Sequence, residues 1–180
     1  MSNGFPDGEF CIVNEETGLY LACLPGGTIY GEQQGVDRLT GETEGIGYSH
    51  TNDQVLGLLE EPSGKKFERW FLDDRKNSRG LEFYHLVNCA KDIRSWYTLW
   101  AVLPAHKSSP YADIPGTIAK VSVQGRGQSG QTQWRAEDGM FFPGDPAKVV
   151  TLAKTGLSGY EVIVADRGAP RQKWRFVTDS

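Results

Sequence analysis

Cys11, Cys23 and Cys89, with His50, His85 and His106, are the side chains best suited to nucleophilic or metal chemistry. Their spacing argues against both. No Cys-x-x-Cys, His-x-x-x-His or Asp-rich calcium loop occurs, so a metal site of standard spacing is not expected. His85 and Cys89 share a face if the segment is extended, but about 13 Å apart, beyond the reach of a thiol–imidazole pair. On a helix they would be adjacent. No Gly-x-Ser-x-Gly elbow is present. Gly125-Arg-Gly127-Gln-Ser-Gly130 fits Gly-x-Gly-x-x-Gly, yet the residues after it read as a strand through Trp134, without the helix N-terminus that would hold a phosphate. The acid pairs Glu15-Glu16, Glu60-Glu61 and Asp73-Asp74 could serve glycoside hydrolysis, but adjacent acids on turns read first as solvated surface. The expectation is a protein that is not an enzyme and uses no cofactor or metal.

Binding chemistry has better material. Arg167, Arg171, Lys173 and Arg175 form a basic row, read as the solvated face of the last strand or as a place for an anionic ligand. Trp96 and Trp100 share a face with Thr98, while Tyr97 and Leu99 take the other, so a half-exposed hairpin leaves an aromatic side chain towards solvent. Tyr30, Tyr48 and Tyr111 lie in polar loops. A ring stacked on the apolar face of a pyranose, with polar side chains on its hydroxyls, is the arrangement such residues could supply.

These side chains need a scaffold. With 180 residues, 38% of them hydrophobic, the chain reads as one domain over 1–180 with a real core. Its 22 glycines and 9 prolines make it rich in turns. A formal charge of −4 disfavours nucleic acid as a partner. No run of apolar residues is long enough for a membrane span. The opening Met1–Gly8 has neither a basic n-region nor an apolar stretch, no Asn-x-Ser/Thr occurs, and three cysteines cannot close a disulfide framework. Cys11 and Cys23 flank the Glu16-Thr17-Gly18 turn symmetrically, and read as small core residues or as a cross-strand disulfide under oxidation. A cytoplasmic location is expected.

The scaffold is read from a repeat. Tryptophan recurs in Phe67-Glu-Arg-Trp70-Phe-Leu, Gln131-Thr-Gln-Trp134-Arg-Ala and Arg171-Gln-Lys-Trp174-Arg-Phe, each a short strand. Trp70 to Asn88 and Trp134 to Leu152 are each 18 residues, and the segments around Asn88 and Leu152 echo Glu9–Leu19. Three copies of strand, turn, strand, insertion and Trp strand follow, spanning about 8–74, 81–137 and 139–178, with long loops at 25–50 and 104–130 in the first two. Further strands are expected at Leu19–Leu24, Gln54–Leu59, Thr117–Gln124 and Tyr160–Ala165. Residues 83–103 also carry apolar side chains at helical spacing; the repeat favours a hairpin turning near Ala90–Arg94.

Three four-stranded copies, each ending on a Trp strand, resemble the β-trefoil, and in particular the ricin-B-type lectins with their Gln-x-Trp repeats. Gln172-Lys-Trp174 matches fully; Glu68 and Thr132 replace the glutamine in the other copies. The resemblance implies an all-β trefoil whose Trp70, Trp134 and Trp174 fill the core. It also implies reversible glycan or glycoconjugate binding. Leu21-Ala22-Cys23 and Leu99-Trp100-Ala101 lack the aspartate of the family's sugar site. Only the third copy offers one, Asp166, with Tyr160 and Gln172; Trp96 and Trp100 are the candidates in the long loops. The chain is also similar to mushroom β-trefoil inhibitors of cysteine proteases, which would make a protease the partner and the long loops the contact elements.

Overall fold

A computed structural model describes residues 3–25, 54–73, 84–90, 98–101, 109–124, 133–155 and 159–178. Among them the chain is all-β. The strands are β1 (Phe10–Asn14), β2 (Tyr20–Pro25), β3 (Gln54–Leu59), β4 (Arg69–Asp73), β5 (His85–Asn88) and β6 (Thr98–Ala101). They continue with β7 (Ile118–Gln124), β8 (Arg135–Glu137), β9 (Met140–Phe142), β10 (Lys148–Thr155), β11 (Gly159–Asp166) and β12 (Trp174–Val177). One sheet runs β10-β11-β7-β6-β5-β4-β1-β2-β3, with β12 also pairing β1, and β8-β9 form a second sheet. Among the described residues these sheets do not close into a barrel, and no helix is long and apolar enough to cross a membrane.

The period-2 pattern of the strands sends alternate side chains into one core. Phe10 and Ile12 of β1 and Trp174 and Phe176 of β12 face it, while Arg175 is exposed. Trp70, Trp134 and Trp174 are at most 1% exposed. Each indole N–H, which needs an acceptor once buried, donates to a strand carbonyl: Trp70 to Leu21 at 2.9 Å, Trp134 to Leu99 at 2.9 Å and Trp174 to Val150 at 3.1 Å. The rings of Phe5, Phe10, Phe141 and Phe176 pack beside them, with Phe5 stacked on Phe10 at 5.8 Å. Phe5 is held there by its neighbours: Ala136 N–H donates to the Asn3 carbonyl and Asn3 Nδ2 to that of Trp134.

Residues 83–103 contain β5 and β6, antiparallel with Val87 opposite Thr98. The turn expected near Ala90–Arg94 lies mostly outside the described residues. The equal 18-residue spacings do not correspond to the same pairing. Trp70 and Asn88 are cross-strand partners, but Leu152 does not play that part for Trp134. The strand after Trp134 turns back at once, so that β8 pairs β9 with Glu137 opposite Met140. Asp138 and Gly139 make the turn with φ of 56° and 78°, the two-residue geometry whose twist matches the strands it joins. Leu152 instead lies in β10, opposite Val162 of β11.

Candidate functional site

The β1–β2 turn begins at Asn14. Its Oδ1 accepts from the N–H groups of Glu16 and Thr17, both at 3.1 Å, and from Thr17 Oγ1 at 3.2 Å, so a single side chain organises the turn. Gly18 completes it at φ 76°. Glu15 and Glu16 are left exposed. Facing them is the segment between β11 and β12, residues 167–173, whose start is fixed by Arg167 N–H on the Ala147 carbonyl at 3.1 Å. Between the two lies an open groove of about 550 Å³, with Glu15 and Glu16 on one wall, Arg167 and Lys173 on the other, and Met140 and Pro170 among its apolar lining.

The charges across this groove are not paired with each other. Arg167 Nε donates to the Pro146 carbonyl at 2.5 Å and Lys173 Nζ to that of Asp138 at 2.8 Å. Glu16 Oε1 accepts from the Arg171 N–H at 3.2 Å. The Glu15 side chain has no ion pair among the described residues, although its N–H binds the Lys173 carbonyl at 2.9 Å and so ties the walls together.

Arg171 departs from the solvated basic row expected of it. It is 7% exposed; Nε donates to the Leu152 carbonyl at 2.8 Å and Nη2 to Asp113 Oδ2 at 2.5 Å. Its guanidinium lies 5.7 Å from the centre of the Tyr160 ring, within cation–π range. The hydrogen bond from Arg171, aided by its charge, holds the Asp113 carboxyl below the usual carboxylate range. Arg167, Lys173 and Arg175 are exposed.

The three residues singled out by resemblance do not line one depression. Gln172 lines the groove but is 5% exposed, and its Nε2 donates to Thr151 Oγ1 at 3.0 Å and to the Asp166 carbonyl at 2.8 Å. Both amide hydrogens are thus used inside the chain. Asp166 pairs with Lys148 at 2.6 Å and lines neither depression. Tyr160 is half-buried and lines a second depression of about 430 Å³ with Leu56, Leu58 and Val121. Trp100 lies in β6 opposite Ser122. Trp96, Tyr30, Tyr48, His50, His106 and the Gly125–Gly130 run are outside the described residues, as are 26–50 of the first long loop and 104–108 and 125–130 of the second.

Nucleophilic chemistry finds little support in the thiols. Cys11, Cys23 and Cys89 are buried and form no disulfide. Burial, with the neighbouring Glu9 carboxylate, pushes the Cys89 thiol up to about 12, and burial raises Cys11 as well, so both stay protonated and unreactive near neutrality. Among the described residues no group of three or more His, Cys, Asp or Glu could hold a metal ion. Sequence reasoning saw Glu15-Glu16 as plain surface and missed Met140 and Pro170, because the turn and the segment that complete the groove are some 150 residues apart in the chain, as the 155-residue separation of Glu16 and Arg171 illustrates. The local signal was Asn14-x-x-Thr17-Gly18, a turn that leaves both acids outside. Comparison with protein-family models, curated proteins and solved structures finds no match to this chain.

Proposed function

We propose that this chain is a β-trefoil protein that binds glycans reversibly, without covalent chemistry or a cofactor, in the groove between the β1–β2 turn and residues 167–173. The trefoil reading groups β1–β4, β5–β8 and β9–β12 as three repeats. It is supported by the tryptophans at or just before the fourth strand of each group, whose indoles all reach the second strand of their own group. Pairings β4–β5, β8–β9 and β12–β1 link each group to the next. Single bonds from Trp134 N–H to the Tyr84 carbonyl and from Trp174 N–H to the Gly139 carbonyl, at 2.9 and 2.7 Å, bridge the remaining edges.

The observation that carries glycan binding is the pair of oppositely charged walls that do not neutralise each other over a partly apolar lining. A sugar hydroxyl both donates and accepts, so it can donate a hydrogen bond to Glu15 or Glu16 while accepting one from Lys173 or Arg167. The pyranose C–H face would rest against Met140 and Pro170. Buried thiols kept in their reduced form suit a cytoplasmic place of work.

A glycan array probed with the parent protein and its Glu15→Gln, Lys173→Met and Asp166→Ala variants tests the reading. A defined set of glycans is expected, lost in the first two variants and kept in the third. Loss in Asp166→Ala alone would move the site to the residues that the lectin resemblance picks out. A blank array from folded protein would overturn glycan binding.

A further inference from the structure

Residues 109–117 lead into β7 and lie along the β10–β11 hairpin. Ile114, 1% exposed, shares a small core with Ile118, Ala153, Ile163 and Ala165. Three polar contacts hold this strap down. Tyr111 Oη donates to Glu161 Oε1. Thr117 Oγ1 accepts from Lys148 Nζ at 2.6 Å, and that ammonium also pairs with Asp166. Asp113 Oδ2 accepts from Arg171 Nη2 at 2.5 Å. Of these anchors, only Asp113 bonds to a residue that also lines the groove.

Arg171 stands between strap and groove, with its side chain turned to one and its backbone to the other. Its N–H meets Glu16 Oε1. Its carbonyl accepts from Leu152 N–H and from Asn14 Nδ2, both at 3.2 Å. Asn14 is the same residue that organises the β1–β2 turn. The φ of Arg171 is 61°, a left-handed conformation that a non-glycine residue keeps only where its surroundings over-determine it. The backbone bonds on one side and the guanidinium bonds on the other supply that determination.

We propose that Asp113 is a positioning residue for the groove: by holding the Arg171 guanidinium from the strap, it fixes the backbone of residue 171 and, through Glu16 and Asn14, the acidic wall. Asp113 lines neither wall itself. The groove is therefore set partly from outside, by a segment inserted ahead of β7. What the groove binds does not enter the inference, so glycan binding and the strap's role can fail separately.

Amide hydrogen exchange of the full chain, read by peptide mass spectrometry, tests it without a ligand. In Asp113→Asn, which keeps the shape and removes the charge, exchange at Glu16–Leu19 and Gly168–Lys173 is expected to rise at least tenfold, while Ser63–Arg69 stays unchanged. Asp113→Glu restores protection. Glu161→Gln, which takes the charge from the Tyr111 anchor of the same strap, speeds exchange within 109–113 and leaves the groove as it was. Arg171→Lys, whose ammonium cannot hold both the Leu152 carbonyl and Asp113 in the fork geometry of a guanidinium, repeats the Asp113→Asn pattern. Faster exchange confined to 109–117 in Asp113→Asn, or an equal spread to the groove in Glu161→Gln, would overturn the proposal.

Discussion

Around Trp70 and around Trp174 the chain makes the same set of bonds. In each joint the indole reaches a strand carbonyl, and an asparagine amide closes on the carbonyl three residues before the tryptophan: Asn88 Nδ2 on Phe67 at 2.9 Å, Asn14 Nδ2 on Arg171 at 3.2 Å. Those carbonyls also accept from Cys23 N–H and Leu152 N–H. Two residues before each tryptophan a buried side chain accepts from the loop ahead of it. Glu68 Oε1 takes Ser63 N–H at 3.0 Å and Ser63 Oγ at 2.6 Å; Gln172 Oε1 takes Gly168 N–H at 3.1 Å. The joints part at the third residue back. Phe67 is half-buried, whereas Arg171 sends a guanidinium to a distant strap and its N–H to a groove. A common framework thus carries a half-buried Phe67 in one joint and, in the other, an arginine that links a groove to a distant strap.

The likeness is broken most severely at its centre. Trp70→Ala and Trp174→Ala should each cost roughly 3–5 kcal/mol in urea unfolding; a loss in only one of them would mean that the joints do not bear load alike. Exchanging the neighbouring pair sharpens the contrast. Gln172→Glu removes the donors to Thr151 and Asp166 and sets a carboxylate against two acceptors, a loss of about 3 kcal/mol. Glu68→Gln keeps an acceptor for Ser63 and should stay within about 1 kcal/mol of the parent.

Titration separates the joints more finely. Cys89, whose N–H binds the Arg69 carbonyl, belongs to the first; Tyr111 and Asp113 belong to the strap of the second. Burial and the Glu161 bond push the Tyr111 hydroxyl up to about 12. A raised folded-state pKa gives stability that is full below the unfolded value and is lost as pH rises through the folded one. The Cys89 share is therefore lost from its ordinary 9.0 up to about 12, and the Tyr111 share from 10.0 up to about 12. Cys89→Ala should remove the earlier part of an alkaline decline and Tyr111→Phe the later part, followed by urea midpoints against pH. Asp113 behaves oppositely: its share is full above the ordinary 3.8 and fades as pH falls through its lower folded value, so Asp113→Asn should flatten the acid side alone. The smallest effect is expected of Asp166→Ala, within about 1 kcal/mol, because the Lys148–Asp166 pair is 38% and 48% exposed and well screened.

The strand framework was legible where one face is wet or a turn residue punctuates the run. Gln54–Leu59 carries the same bounds in sequence and structure, and the other three expected hairpin strands shift at their ends by a residue. The core tryptophans were legible as recurring bulky residues at alternating positions. The 18-residue echo misled because spacing alone cannot tell a long connection from a two-residue turn; Asp138-Gly139, a strong hairpin dipeptide, carried the information. The groove was not legible. Its walls come from opposite ends of the chain, and the inward turn of Arg171 follows from a left-handed backbone and a partner 58 residues away, neither of which a basic row announces.

The most direct test is an ¹⁵N-resolved NMR titration with glycans drawn from the array. Shifts concentrated at Glu15–Gly18 and Arg167–Lys173, with Ser63–Arg69 unmoved, are the expected result. Shifts centred on Ser63–Arg69, on the depression lined by Tyr160, or nowhere in the chain would contradict the assignment of glycan binding to the joint at Trp174.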